Sequence, residues 1–167
     1  MGHLTDVSHL HHLPHEPPTA TLNIPQVVED VRLDLQPLLE STRAELVVTV
    51  VACPGVHFSA TNLRSVFFNL LSNALKYRAS DRVPRVHVRT QCTDEQLVLE
   101  VQDNGLGLSE QQQSHLFTMF RRLHTHVEGS GVGLYLIKRI IENAGGIITV
   151  QSRPDVGSTF TVTLPRI

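Results

Sequence analysis

The sequence predicts an α/β fold of the α+β kind, a two-layer sandwich in which helices cover one face of a mixed β-sheet. Three observations predict it. Leu63, Val66, Phe67, Leu70, Leu71, Ala74 and Leu75 stand at offsets 0, 3, 4, 7, 8, 11 and 12, the spacing of one buried helical face. Two pairs of strand-like runs, at 85–103 and 147–164, are each joined by a short polar turn, as hairpins are. Helical segments are interspersed with these pairs, an order that stacks helices on a sheet.

Residues 1–18 read as a linker or as the end of a preceding dimerisation helix, and 19–167 as one domain. Leu13-Pro14-His15-Glu16-Pro17-Pro18 cannot hold a helix, because proline lacks the amide donor and restricts the residue before it. Thr19–Asn23 is a short strand candidate. Pro25 then opens a helix with Val27, Val28, Val31, Leu35, Leu38 and Leu39 on one face, and Pro37 kinks that helix or ends it early. Leu46–Val51 is β-branched and reads as a strand. Ser59 caps the long helix. Arg85–Gln91 and Gln96–Asp103 form two strands about Thr93-Asp94-Glu95. Ser109 and Gln112 make a capping box for a short helix reaching Phe117. Residues 121–130 lack periodicity and read as a loop. Val132–Ala144 is helical and stops at Gly145-Gly146, and the closing hairpin turns at Pro154-Asp155-Val156-Gly157.

The 167 residues suit one domain with a real core. A formal net charge of −2, with no basic cluster beyond pairs such as Arg121-Arg122, argues against a general nucleic-acid binder. No apolar run approaches a membrane span, and Met1–His12 has no signal-peptide core. A cytoplasmic domain without membrane contact is expected, from a parent that is soluble or membrane-bound. Cys53 and Cys92 lie far apart in sequence, and free thiols in a reducing cytosol are the simplest reading.

Three motifs carry chemistry. In Asn69-Leu70-Leu71-Ser72-Asn73-Ala74-Leu75-Lys76-Tyr77, the residues Asn69, Asn73 and Lys76 share the face opposite the apolar stripe. Amide oxygens are hard ligands for Mg²⁺ and an ammonium suits phosphate. The same spacing also describes an ordinary solvated face. Asp103-Asn104-Gly105-Leu106-Gly107 follows a strand. Its carboxylate can accept from an exocyclic amine such as adenine's, and its glycines let backbone approach a ligand. A tight turn with an Asx cap has the same pattern. Gly129-Ser130-Gly131-Val132-Gly133-Leu134 leads into a helix, where backbone N–H groups and the positive dipole end favour phosphate. It is neither a Rossmann nor a Walker A pattern. A flexible hinge would look similar.

In combination and order, these motifs resemble the Bergerat-type ATP-binding fold of gyrase, heat-shock chaperone, histidine kinase and MutL proteins, the GHKL superfamily. Asn69–Tyr77 resembles the N box of the histidine kinase branch, and Leu116-Phe117-Thr118-Met119-Phe120-Arg121-Arg122 resembles its F box. Gly157-Ser158-Thr159-Phe160, with Leu164-Pro165, resembles its closing strand. The resemblance spans roughly 19–165, and the closing turn has one glycine fewer than the commonest family pattern.

The resemblance implies roles. Asn73 is the metal-binding asparagine, with Asn69 beside the phosphates and able to share the metal. Lys76 contacts phosphate and Tyr77 packs near the nucleotide. Asp103 reads the adenine amine in a pocket shaped by Gly105 and Gly107. Arg122 is a basic lid residue near the phosphates. Gly129, Gly131 and Gly133 form the far side of the lid, Leu134 is a further nucleotide-binding residue, and Ser158 supplies a hydroxyl near adenine. ATP and Mg²⁺ are the implied cofactors. The implied partners are a dimerisation domain carrying the phosphoacceptor histidine and, downstream, the receiver domain of a response regulator. The isolated domain is expected to be a monomer.

Position 69 bears on the reaction. The hydrolysing branches usually place a glutamate four residues before the metal asparagine, where it can activate water. Here the residue is an amide with no useful basicity. Phosphoryl transfer depends mainly on positioning and charge stabilisation, so the amide favours transfer over hydrolysis. Chain length agrees, since the hydrolysing relatives carry a further transducer domain. A nucleotide-binding regulatory module, anti-sigma-like or non-catalytic, and a slow ATPase remain as alternatives. His15-Glu16 is the only motif like a phosphoacceptor box, and Pro14, Pro17 and Pro18 forbid its helix, so the chain is expected to lack an acceptor. His9, His11, His12 and His15 match no zinc spacing and read as a solvated tail. His124 and His126 read as loop surface.

Overall fold

The computed structural model describes residues 22–118 and 133–166. Its elements run α1 (Ile24–Asp34), α2 (Gln36–Thr42), β1 (Glu45–Thr49), α3 (Ala60–Lys76), β2 (Arg85–Cys92), β3 (Gln96–Asp103), α4 (Glu110–Ser114), α5 (Gly133–Asn143), β4 (Ile147–Arg153) and β5 (Gly157–Pro165). The strands form one five-stranded sheet in the order β1-β2-β3-β5-β4. β1 runs parallel to β2 and the other neighbours are antiparallel, which makes the sheet mixed.

The period-2 pattern of the strands gives the sheet its two faces. Val86 and Val88, Leu97, Leu99 and Val101, and Phe160, Val162 and Leu164 are all buried. The intervening Thr159, Thr161 and Thr163 are only partly buried, on the opposite face. Three helices cover the apolar face, so both layers share one core. α3 is central, and all seven residues of its predicted stripe are buried. α1 adds Ile24, Val27, Val28 and Val31, and α5 adds Leu134, Ile137 and Ile141. The two-layer α/β sandwich expected from the sequence is therefore the observed architecture.

Local signals behave as their chemistry requires. Ser59 Oγ accepts from the Asn62 N–H at 2.9 Å and starts α3. Ser109 and Gln112 form the reciprocal capping box, but the helix they open ends at Ser114, short of Phe117. Leu22 and Asn23 are not a strand, and Asn23 instead caps α1, whose first residue is Ile24. The helix expected across Pro37 is two helices. It breaks at Leu35, and Pro37 sits in the first turn of α2, where its missing N–H would have no partner anyway. The strand expected at 46–51 is Glu45–Thr49. Gly145, at φ 79, ends the last helix as expected. The closing turn forms with one glycine fewer because Asp155 takes the left-handed conformation, φ 63, which a short polar side chain tolerates.

One reading is corrected. Cys53 and Cys92 are not free thiols but a disulfide with Cα atoms 5.4 Å apart. Val51, just before Cys53, donates its N–H to Thr90 Oγ1 at 2.7 Å, so the segment after β1 lies along the end of β2. Parallel pairing across a long crossover brings together residues 39 apart in sequence, a proximity that spacing does not reveal.

Candidate functional site

The candidate site lies where the C-terminal half of α3, the end of β3, the start of β5 and the first turn of α5 converge. Asn73, Tyr77, Asp103, Gly107, Leu134 and Ser158 line one small pocket, with Ala74, Leu108 and Phe160 adding apolar walls. A larger concavity of about 550 Å³ opens on the other face of the sheet, between Arg85, His87, Gln102 and Arg153. It meets the small pocket only at Asp103 and Ser158. The smaller pocket is the candidate, because it gathers residues of all three motifs.

Asp103 is its polar centre. Its Oδ1 accepts from the Gly105 N–H at 2.9 Å and from the Ser158 N–H at 3.3 Å. Among the described residues Oδ1 is hydrogen-bonded and Oδ2 is not. Burial raises the Asp103 pKa from 3.8 to about 6, against the lowering effect of those two backbone donors. An acceptor held in an apolar cleft suits an amine on a flat heterocycle.

The glycines of the second motif serve contact. At Gly107, with φ 68, a Cβ would stand 2.0 Å from the carbonyl oxygen of Arg153, so the turn presses directly on the β4–β5 connection. A Cβ at Gly105 would meet the Tyr77 carbonyl oxygen at 2.5 Å, and that oxygen accepts from the Leu106 N–H at 2.9 Å. The end of α3 is thereby tied to the turn after β3.

On α3, Asn69 Nδ2 donates to the Ser65 carbonyl at 2.8 Å. That bond orients the amide and leaves Oδ1 as its outward end, 2.5 Å from where a Gly133 Cβ would be. Asn69 therefore faces the start of α5, while Asn73, one turn on, enters the pocket. Among the described residues no group of three His, Cys, Asp or Glu could hold a metal ion. A cation here would rest on amide and ligand oxygens, which fits a hard ion such as Mg²⁺. Lys76 is half-buried in the last turn of α3. Neither it, Asn69 nor Gly105 lines the pocket itself. Arg122, Gly129 and Gly131, the loop at 121–130 and the tail histidines lie outside the described residues.

Three residues at the site escaped the sequence reading. Ser152 Oγ accepts from the Leu108 N–H at 2.8 Å and lies 2.7 Å from Ser158 Oγ. Gln113 Nε2 donates to the carbonyls of Leu108, at 3.0 Å, and Ser152, at 3.1 Å. Arg82 donates to carbonyls of two separate turns. Each acts through backbone partners distant in sequence, which no local pattern announces.

Comparison with known proteins joins this geometry to a family. The family model described as histidine kinase-, DNA gyrase B-, and HSP90-like ATPase matches residues 59–167, more than half of the chain. The chain belongs to that family. Its similarity within it runs to histidine kinases. It is 35% identical over 145 residues to phytochrome-like protein Cph1 of Synechocystis sp., covering 86% of this chain and 19% of that protein. It is 34% identical over 145 residues to the adaptive-response sensory kinase SasA of a Synechococcus sp., covering 85% and 38%. The mycobacterial sensor histidine kinase MprB superposes with a TM-score of 0.73 at 25% identity, covering 87% of this chain and 97% of that structure. The chain thus spans well under half the length of both of these curated relatives. Family membership makes this an ATP-binding domain of the histidine kinase type. No helix among the described residues is long and apolar enough to cross a membrane.

Proposed function

We propose that the chain binds Mg-ATP and donates the γ-phosphoryl group to a histidine on a separate dimerisation and phosphoacceptor domain. The observation that carries this reading is the shared pocket of Asn73, Asp103, Leu134 and Ser158, in which the Asp103 carboxylate is held through Oδ1 by the Gly105 and Ser158 N–H groups. Asp103 would accept from the adenine amine, with Gly105 and Gly107 shaping the turn beside it and Ser158 and Tyr77 flanking the base. Leu134 would wall the pocket from α5. Asn73 would hold Mg²⁺ through its amide oxygen and Asn69 would share it. The cation would supply charge neutralisation at the phosphates.

Lys76 would contact phosphate from α3. Arg122, Gly129, Gly131 and Gly133 would complete the phosphate side. Transfer is favoured over hydrolysis because Asn69 is an amide rather than a carboxylate. Residues 19–167 would act as the catalytic unit, in the cytoplasm and as a monomer when isolated. A response regulator receiver domain would take the phosphoryl group onward.

Labelled ATP tests the reading. The chain alone should acquire no acid-labile, alkali-stable label, and a separately expressed helical-hairpin domain of the parent kinase should become labelled when added. Stoichiometric label on a histidine of this chain, or an unlabelled hairpin despite bound ATP, would overturn it.

A further inference from the structure

Arg82 stands in the connection between α3 and β2, outside every motif, and its guanidinium binds the two turns that flank the candidate pocket. Nε donates to the Asn104 carbonyl at 2.6 Å, and Nη2 donates to the Gly105 carbonyl at 2.8 Å and the Asp155 carbonyl at 2.7 Å. Nη1 faces the exposed Asp81 carboxylate at 3.2 Å. Asn104 and Gly105 belong to the turn after β3, and Asp155 to the β4–β5 turn, so one planar fork staples two turns. A guanidinium is suited to this, because its donors are rigidly spread and permanently charged. An ammonium presents a single centre and cannot span the same set.

The two stapled turns position both donors that hold Asp103. Gly105 gives its N–H to Asp103 Oδ1, and Ser158, three residues beyond Asp155, gives the other. The Asp155 N–H in turn donates to the Leu106 carbonyl at 2.7 Å. Asp155, whose carbonyl the fork binds, has φ 63, a conformation that L residues adopt at a cost and glycine adopts freely.

We propose that Arg82 is a positioning residue for base selectivity. It fixes the Asp103 carboxylate by locking the turn after β3 to the β4–β5 turn, and it stabilises a non-glycine residue at the left-handed position of the second turn. The inference rests on the reading of the pocket as an adenine site. Adenine offers an amine where guanine offers a carbonyl oxygen. A carboxylate aimed at that position attracts the first and repels the second, and one free to swing discriminates less.

The test is calorimetric titration of the whole chain with Mg-ATP and with Mg-GTP, for wild type, Arg82→Lys, Arg82→Met, Asp155→Gly and the double variant Arg82→Met/Asp155→Gly. Circular dichroism identifies the variants that stay folded. Arg82→Met should lower the ATP-over-GTP preference by about tenfold, with Arg82→Lys intermediate. Asp155→Gly in the Arg82→Met background should recover roughly threefold of that loss, since glycine needs no staple. A generally loosened fold would weaken both nucleotides alike and leave the ratio unchanged. An unchanged ratio in folded Arg82→Met, or in Arg82→Lys if the methionine variant does not fold, overturns the proposal while leaving the ATP reading standing. Wild-type protein that binds neither nucleotide overturns that reading and this inference with it.

Discussion

Asp103 and Ser158 occupy directly paired positions of the β3–β5 ladder, and the Ser158 N–H donates to Asp103 Oδ1 at 3.3 Å. The pairing brings a carboxylate and its donor together from positions 55 residues apart. It turns a charged group into the floor of an apolar pocket. Burial then holds the Asp103 pKa at about 6, well above its ordinary 3.8.

That shift has a definite sign. Between 3.8 and about 6 the folded chain binds more protons at Asp103 than the unfolded chain does, so the stability contribution of this group falls as pH rises through that window. Above it, the buried charge opposes folding by roughly 1–3 kcal/mol. Asp103→Asn should therefore be more stable than wild type at pH 7 and gain little at pH 4, read by denaturant unfolding at both values. The same variant should bind ATP more weakly at pH 7, and wild-type affinity should decline as pH drops below 6. An asparagine variant less stable at pH 7, with wild-type ATP affinity, would contradict both halves.

Asn73→Ala should weaken Mg²⁺-dependent nucleotide binding more than Asn69→Ala does. Asn73 lines the pocket, whereas Asn69 is turned toward Gly133 and tethered to Ser65. Titrations with ATP in Mg²⁺ and in a chelator separate the metal-dependent part. Unchanged Mg²⁺ dependence in Asn73→Ala removes it from the metal site.

Gly107→Ala should be among the most damaging single substitutions. Its Cβ would fall 2.0 Å from the Arg153 carbonyl oxygen, on a residue with φ 68, so the β4–β5 turn must move or the chain must adopt another backbone. A loss of roughly 2–4 kcal/mol is expected. Thermal unfolding of the variant measures it, and a melting temperature within a degree of wild type contradicts the close packing.

Cys53 and Cys92 close a loop across 39 positions. Reducing that bond should lower stability by roughly 2–4 kcal/mol. Thermal melts with and without a thiol reductant should differ for the wild type and coincide for the Cys53→Ser/Cys92→Ser variant. Coincident wild-type melts, with two thiols titratable before reduction, would show the pair to be open.

Much of the architecture was legible because its causes are local. The α3 stripe, the Ser59 cap, the Ser109–Gln112 box and the strand runs at 85–103 and 147–164 each carry their instruction within a few residues. The glycines at 105 and 107 read in sequence as letting backbone approach a ligand, whereas the close neighbours the fold gives them are the Tyr77 and Arg153 carbonyl oxygens. The break at Leu35 was half-legible. Pro37 announced a disturbance, but whether it ends one helix or begins the next depends on how the two segments pack.

The sequence by itself determined most of the helices and strands, though not the state of Leu22-Asn23 or the break at Leu35, together with which faces are apolar and which polar residues the motifs present, because backbone and side-chain preferences act over one or two turns of chain. Tertiary structure alone decided that Cys53 meets Cys92, that Ser152 and Gln113 brace Leu108, and that Arg82 staples two turns 50 residues apart. Those contacts follow from strand order and register, and the sheet order β1-β2-β3-β5-β4 is set by how the whole core packs, which no short stretch of sequence encodes.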